Sequence, residues 1–244
     1  MTGPGPRDGR AAEDDGPREF VKYTFFHLRP EWRRLPEGDR RSGKARFAEV
    51  LEHPPDGVVV RSYALTGLKA GTEMMVWAIA PELGPIQELH ARLFGTPLGG
   101  YLDTPYSYLG LGRRSEYLGE HAHGGEGADG RRRPSDLPYL IVYPFVKKRE
   151  WYGLPFEERR RIMGEHFRVG HKFPRVQIHT GYSFGLDDME FILAFEAESP
   201  AEFSDLVNEL RPTEASRYTA LETPIFTCVL ASARRMLDLA DGLP

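Results

Sequence analysis

The feature that most constrains the fold is an internal repeat between the two halves of the chain. The segment YTFFHLRPEWRRLPEGDRR, beginning at Tyr23, aligns with YPFVKKREWYGLPFEERR, beginning at Tyr143, and a one-residue gap sets Trp32 against Trp151. Repetition within a chain is best identified before a fold is assigned, because it predicts two units of similar structure. One pattern of helices and strands should therefore describe both halves.

Both halves show the same order of predicted elements. Runs rich in β-branched and aromatic residues predict strands, and apolar residues at helical spacing predict helices. The first half has predicted strands at residues 20–28, 57–65, 73–80 and 106–111, and predicted helices at residues 35–52 and 83–94. The second half has predicted strands at residues 139–146, 175–184, 187–196 and 225–232, and predicted helices at residues 155–169 and 200–210.

The order β-α-β-β-α-β is that of a ferredoxin-like unit. The sequence therefore predicts an α+β fold of tandem ferredoxin-like repeats, a dimeric α+β barrel that forms one bilobed subunit. Two four-stranded sheets, each with its helices on one face, should pack as a sandwich or as a barrel-like pair.

The composition indicates where these units begin and end. Residues 1–19 are rich in Gly, Pro and charge, which predicts a disordered tail. Residues 20–120 form the N-terminal half, residues 121–136 a polar connector, and residues 137–244 the C-terminal half. The C-terminal half is expected to carry the function, because the distinctive motifs lie there.

Charge, cysteine content and hydropathy exclude several classes of protein. The net charge of −4 gives no reason to expect a nucleic-acid partner. The single cysteine, Cys228, lies in a predicted buried strand, where packing is its expected role. The sequence has no apolar run long enough for a membrane span and no apolar core of a signal peptide near its start. We therefore expect a cytoplasmic, soluble protein.

One histidine lies at the edge of the apolar stripe of the predicted helix 155–169. His166 follows Ile162 by one turn, so its imidazole borders that stripe rather than the charged face. From pattern alone, such a histidine is most often a core residue hydrogen-bonded to backbone. The alternative is that it binds a metal or a haem iron buried beside the helix.

Three segments of the second half are distinctive: YPFVKKREWY from Tyr143, EERRRIMGEH ending at His166, and GLDDMEF from Gly185. Together they resemble the chlorite dismutase superfamily, in particular its coproheme decarboxylase branch. The resemblance implies that His166 is the iron ligand, with His171 in the next loop as its rival. It also implies that Fe-coproporphyrin III (coproheme) is both substrate and cofactor, that hydrogen peroxide is the oxidant and haem b the product, and that the chain forms a homo-oligomer, often a pentamer.

The resemblance assigns further roles on the strand that begins the second half. Tyr143 would face a reactive propionate and be oxidised to a radical that removes a hydrogen atom from the propionate β-carbon. Lys147, four residues on and on the same strand face, would hold that propionate as a point charge. From the residues alone, a tyrosine such as Tyr143 is more often a core or interface aromatic, and Lys147 could equally be a solvated cation at a strand end.

The segment LRPTEASRY carries a second pair of candidate residues. It places Arg211 and Ser216 five positions apart, the offset at which the decarboxylase branch has an arginine and a serine that bind propionates. Arginine pairs with carboxylates are charge-assisted and often bidentate, so they would fix the orientation of the ring. The alternative for Arg211 is a cation that favours the C-terminal dipole of a helix.

The residue facing the open side of the iron separates the branches of the superfamily. Chlorite dismutases have an arginine about thirteen residues after the ligand histidine, and that count reaches Ile178 or His179 here. Gln177 would match the glutamine of one decarboxylase group if the loop is shorter, and Arg175 would need a shift of three residues or more. The missing arginine argues against chlorite dismutase, which stays an alternative together with a non-catalytic haem-binding protein of the same fold.

A histidine of the connector is the other candidate for that position. In one decarboxylase group a connector histidine reaches over the haem, and His121 and His123 lie in a comparable segment. Their spacing to Tyr143 differs from that of the group, and a flexible polar loop remains the simpler interpretation.

Overall fold

A closed barrel of eight antiparallel strands is the centre of residues 18–112 and 134–243, the part of the chain that the computed structural model describes. The connector residues His121 and His123 and the tail at residues 1–17 lie outside it. Around the barrel the strands follow the order β7-β6-β4-β1-β3-β2-β9-β5, and β5 pairs with β7 to close the ring. The strands are β1 (Phe20–Leu28), β2 (Val59–Lys69), β3 (Thr72–Ala80), β4 (Leu102–Gly112), β5 (Tyr139–Lys147), β6 (Val176–Tyr182), β7 (Phe191–Ala197), the short β8 (Thr219–Leu221) beside the end of β5, and β9 (Phe226–Leu230).

The helices lie outside the barrel. The first half has the order β-α-β-β-α-β, and the second half has this order with an additional short helix, a short strand and a C-terminal helix. The helices are α1 (Glu37–Glu52), α2 (Leu83–Phe94), α3 (Arg149–Gly153), α4 (Phe156–Gly170), α5 (Pro200–Leu210) and α6 (Ala233–Asp241). Short 3₁₀ helices lie at Trp32–Arg34, Gly99–Tyr101 and Glu214–Tyr218. No helix in the described ranges is long and apolar enough to cross a membrane.

Of the two expected arrangements of the sheets, the structure has the barrel. The two halves join edge to edge through the pairs β2–β9 and β4–β6, so their backbone groups are satisfied across the junction. Alternate side chains of each strand then point into one shared interior. This interior is filled by buried aromatic and aliphatic residues of both halves, among them Tyr23, Phe25, Trp77, Leu140, Phe226 and Cys228.

One polar pair lies within this apolar interior. His179 of β6 and Glu196 of β7 are 1% and 0% exposed, and His179 Nε2 is 2.6 Å from a carboxylate oxygen of Glu196. The His179 ring also packs edge-on against Trp77, with 5.1 Å between centroids. The inward-facing side chains of β6 and β7 therefore lie in the interior of the barrel.

The outer face of the N-terminal half is covered by a closed helical layer. Phe26, Phe47, Leu89 and Leu93 are completely buried between the strands and α1 and α2. The C-terminal helix α6 completes the layer with the buried side chain of Met236, although no helix is predicted there from the sequence. The chain thus ends by packing on the half in which it begins.

Candidate functional site

The helical layer of the C-terminal half is less tightly closed than that of the N-terminal half. Helix α4 fully buries only Ile162 and packs mainly on α5 and on the 3₁₀ helix Glu214–Tyr218. Eight apolar side chains between the helices and the outer face of the sheet remain partly exposed: Phe145, Val169, Phe173, Val176, Ile178, Leu193, Val207 and Leu210. Apolar side chains left open between two layers mark a binding cleft. We call the region between α4 and the outer face of β5, β6 and β7 the α4 cleft.

His166 faces Lys147 across the α4 cleft. Burial and, to a smaller extent, the nearby charge of Lys147 lower the pKa of the imidazole to about 4. The ring contacts the edge of Phe167 and makes no hydrogen bond with another residue of the described ranges. His166 is therefore a neutral imidazole at pH 7, which is the form that binds iron. His171, its rival, is an exposed residue at the C-terminal cap of α4.

Lys147 ends β5 on the opposite wall of the cleft. Its ammonium nitrogen lies 4.6 Å from the centre of the Trp151 ring and 5.2 Å from that of Phe145. It is 3.4 Å from the carbonyl oxygen of Ala215 and forms no ion pair with any carboxylate of residues 18–112 or 134–243. Burial lowers the pKa of Lys147 to about 8, and the charge of Glu190 opposes this effect. A partly buried cation that lacks a counter-ion in the described residues is suited to bind a carboxylate of a ligand.

Tyr143 lies two residues from Phe145 on the same face of β5. Its ring stacks on Phe195 at 5.9 Å and 17° and is 7% exposed. Burial raises the pKa of its hydroxyl, as does the charge of Glu222, whereas Arg211 acts in the opposite direction. The hydroxyl stays protonated and makes no hydrogen bond to a partner in the described part of the chain. It is thus free to donate to a bound carboxylate.

Arg211 lies at the C-terminal cap of α5, near Tyr143. Its guanidinium pairs with Glu222 and is half exposed. Ser216 Oγ lies 2.7 Å from the carbonyl oxygen of Arg211 and 2.8 Å from that of Thr213, so its hydroxyl donates to the turn after α5. The structure brings Arg211 to the rim of the site, while Ser216 holds the turn that carries it.

Gln177 is not brought together with the other predicted site residues. It is opposite Glu196 in the β6–β7 ladder and shares the barrel face with His179. The intervening residue, Ile178, packs on the cleft side of the sheet. Arg175 lies before β6 and pairs with Glu202 at 3.2 Å, so the described part of β6 presents no arginine to the cleft. On this wall Val176 and Ile178 present apolar side chains to the cleft, beside Thr180.

Two acidic residues of the site were missed by sequence reasoning. Glu222 pairs with Arg211, and nothing in its local sequence indicates that contact. Glu190 is buried and accepts hydrogen bonds from the segment around Lys147. It lies within GLDDMEF, so the resemblance marked the segment without indicating what the glutamate does.

The residues present fit an iron porphyrin with carboxylate arms. Such a ligand can be held by an imidazole on its iron, by apolar walls around the macrocycle and by cations or donors at its propionates. His166 would hold the iron, and the partly exposed apolar residues of the α4 cleft would line the macrocycle. Lys147, Tyr143 and Arg211 would bind the propionates.

Comparisons with known proteins point to the same chemistry. The family model described as "Chlorite dismutase" matches residues 26–231. Over 211 residues the chain is 38% identical to a coproheme decarboxylase of Mycolicibacterium smegmatis. The matched region covers 85% of this chain and 88% of that protein. A mutant chlorite dismutase from Candidatus Nitrospira defluvii superposes with a TM-score of 0.82 at 25% identity, over 91% of this chain and 95% of that one. The same enzyme in complex with imidazole superposes with a TM-score of 0.81, at the same identity and coverage.

Proposed function

Because this chain belongs to the chlorite dismutase family, we propose that it is a coproheme decarboxylase that converts Fe-coproporphyrin III to haem b. The observation that carries the proposal is the α4 cleft itself. One of its walls presents the unprotonated imidazole of His166. The other presents the partly buried cation Lys147 and the hydroxyl of Tyr143, neither of which has an ion-pair or hydrogen-bonding side-chain partner among the described residues. The 38% identity to the Mycolicibacterium smegmatis enzyme over most of the chain supports this assignment.

We propose hydrogen peroxide as the oxidant, because each decarboxylation removes two electrons from a propionate. The β-carbon gives up a hydrogen atom, the resulting radical gives up a second electron as the bond to the carboxylate carbon breaks, and a vinyl group and carbon dioxide form. One peroxide and one proton are consumed and two waters are released per propionate. The iron porphyrin, when bound, supplies the redox chemistry that peroxide drives.

The side chains of the cleft bind and orient the substrate. His166 would hold the iron from the α4 side, and its low pKa keeps the nitrogen lone pair available across the physiological range. Lys147 would bind the carboxylate of the reacting propionate. Tyr143, stacked on Phe195, would hold its hydroxyl toward that propionate and give up and regain the hydrogen atom. Arg211 would exchange Glu222 for a second propionate at the rim.

The apolar wall of β6 distinguishes this function from chlorite dismutation. Ile178 cannot donate a hydrogen bond or offer a charge to an oxyanion above the iron. Arg175, the nearest arginine in sequence, is paired with Glu202 before the strand. The cleft is therefore suited to peroxide and an organic substrate rather than to chlorite.

Reconstitution of the full chain with coproheme tests the proposal. Peroxide is titrated into the complex and the porphyrins are identified by mass spectrometry. We expect two successive decarboxylations that give haem b. In each step the porphyrin loses the mass of one carbon dioxide and two hydrogens. Oxygen release from chlorite without any decarboxylation would contradict the proposal and favour the alternative activity.

We also infer that the two halves are ferredoxin-like repeats. In the barrel their strands follow the orders β4-β1-β3-β2 and β9-β5-β7-β6, which place equivalent strands at equivalent positions. We further expect a cytoplasmic homo-oligomer, a pentamer by analogy with the family, and light scattering of the purified chain tests its size.

A further inference from the structure

Glu190 is a buried carboxylate that fastens the segment joining β5 to α3. It directly precedes β7 and is 8% exposed. Its Oε2 accepts from the main-chain N–H of Lys147 at 2.8 Å and from the hydroxyl of Tyr152 at 2.6 Å. Its Oε1 lies 3.5 Å from a guanidinium nitrogen of Arg149. A single carboxylate therefore contacts three donors within six residues of chain.

The N-terminal half contains a simpler version of this arrangement. Glu73, the second residue of β3, accepts from the main-chain N–H of Leu28, the last residue of β1, at 2.9 Å. It also lies 3.1 Å from His27 Nδ1. The repeat makes β3 equivalent to β7 and β1 equivalent to β5. The main-chain hydrogen bond is therefore common to both strand ends, whereas the side-chain contacts differ: His27 in the N-terminal half, and Tyr152 and Arg149 in the C-terminal half.

The added contacts lie where they fix the side chain of Lys147. Between Arg149 and Tyr152 is Trp151, which is 2% exposed and whose ring lies 4.6 Å from the Lys147 ammonium. Glu190 thereby holds both the backbone of Lys147 and the short helix that supplies its aromatic neighbour. Its negative charge also favours the ammonium form at this buried position.

We propose that Glu190 is a positioning residue for substrate binding: it acts through Lys147, holding that side chain toward the carboxylate of the bound porphyrin. The inference rests on the proposed function, because it names the residue that keeps the propionate-binding lysine in place. Glu190 itself does not touch the substrate. Substitution of a residue that orients a binding side chain, without contacting the bound group itself, can change affinity or activity about tenfold or more.

The test uses Glu190→Gln, which keeps the side-chain shape and removes the charge, with Glu73→Gln as the matched control in the other half. Coproheme affinity of the full chain is measured by Soret titration. We expect Glu190→Gln to weaken it about tenfold and Glu73→Gln to leave it unchanged. Combined with Lys147→Met, Glu190→Gln should add no further loss, because both substitutions act on one contact. Tyr152→Phe, which removes a single donor, should give a smaller loss in the same direction.

Hydrogen exchange of the porphyrin-free chain gives a second readout. Glu190→Gln should speed amide exchange in residues 145–152, and Glu73→Gln should not. The role of Glu190 would be overturned if Glu190→Gln and Glu73→Gln had equal amide exchange or equal effects on coproheme affinity. It would also be overturned if the affinity losses of Glu190→Gln and Lys147→Met were fully additive. If wild type binds no coproheme, the proposed function fails, while the exchange data still decide whether Glu190 fixes the Lys147 segment.

Discussion

Lys147 combines burial, charge and the absence of a counter-ion more clearly than any other side chain of the α4 cleft. Its pKa falls from an ordinary value of 10.5 to about 8 because burial penalises the ammonium form. A bound carboxylate favours that same form, so binding and protonation of Lys147 support each other. Its side chain is therefore where a pH dependence of substrate binding should arise.

We predict that coproheme affinity is highest below pH 8 and falls as the pH rises through about 8, where free Lys147 loses its proton. The charged interaction should be worth about tenfold in the dissociation constant. Soret titrations between pH 6 and 10 measure this. Lys147→Met should bind more weakly at pH 7 and lack the step, and a step that persists in this variant would assign it to another group.

Tyr143 should contribute to the reaction more than to binding. Its ring stacks on Phe195, and Tyr143→Phe keeps that stack while removing only the hydroxyl. We expect near wild-type coproheme affinity and loss of both decarboxylations on addition of peroxide, as measured by mass spectrometry. Full conversion by the phenylalanine variant would show that the hydroxyl is not needed.

A candidate site residue could be predicted from the sequence where its position depends on spacing within one helix or strand. It could not be predicted where its position depends on contacts with distant parts of the chain. The spacing on α4 placed His166 beside the apolar stripe, and the alternation along β5 placed Tyr143 and Lys147 on one face. Gln177 was ambiguous because a shift of one residue reverses the face of a strand, and only the pairing with β7 fixes it. The partner of Arg211, Glu222, lies eleven positions on and depends on a turn that no pattern specifies.

At the scale of elements, the predicted helices and strands agree closely with the structure wherever the periodicity is strong. The bounds of β1, α2 and α5 coincide with the predicted ranges. Strand β7 begins at Phe191 rather than at residue 187, because residues 183–190 form a loop. Within that loop Gly185 has a φ of +72°, and Asp187 accepts from the main-chain N–H of Leu109. Such a tertiary contact cannot be read from alternation alone.

Helix α6 was missed because its sequence, ARRMLDLAD, is short and rich in charge. Its apolar side chains nevertheless recur at helical spacing, and Ser232 caps its start by accepting from Arg235 N–H. What fixes α6 is tertiary: the buried Lys44 of α1 contacts Asp238 at 2.7 Å and Asp241 at 3.2 Å. The C-terminal helix is thereby fastened to the N-terminal half.

We predict that Lys44→Met lowers the free energy of unfolding by about 3 kcal/mol, because it removes one of the two cations that pair with the buried carboxylate of Asp241 in the described residues and leaves Arg40. Arg234→Met is the matched control, since Arg234 also joins α6 to α1, through Glu52, but on the exposed surface. Urea denaturation followed by circular dichroism compares the two. Equal effects would contradict the importance assigned to burial at Lys44.

At the scale of the whole molecule, the repeat predicted two similar units but not how they close. The barrel depends on the pairs β2–β9 and β4–β6, whose partners are more than 60 residues apart in sequence. The two halves then diverge in their outer layers. One layer is filled by α1, α2 and α6, and the other leaves the α4 cleft partly open. The proposed site therefore lies in the outer layer of the C-terminal half, where packing is less complete.

The central claim is that a porphyrin binds in the α4 cleft with His166 as its iron ligand, and Soret titration of ferric coproheme tests it most directly. The measurement compares wild type, His166→Ala and, as a matched control, His171→Ala, whose side chain is exposed at the end of the same helix. The account predicts a histidine-ligated Soret spectrum for wild type and His171→Ala and its loss in His166→Ala. An unchanged spectrum in His166→Ala would contradict it.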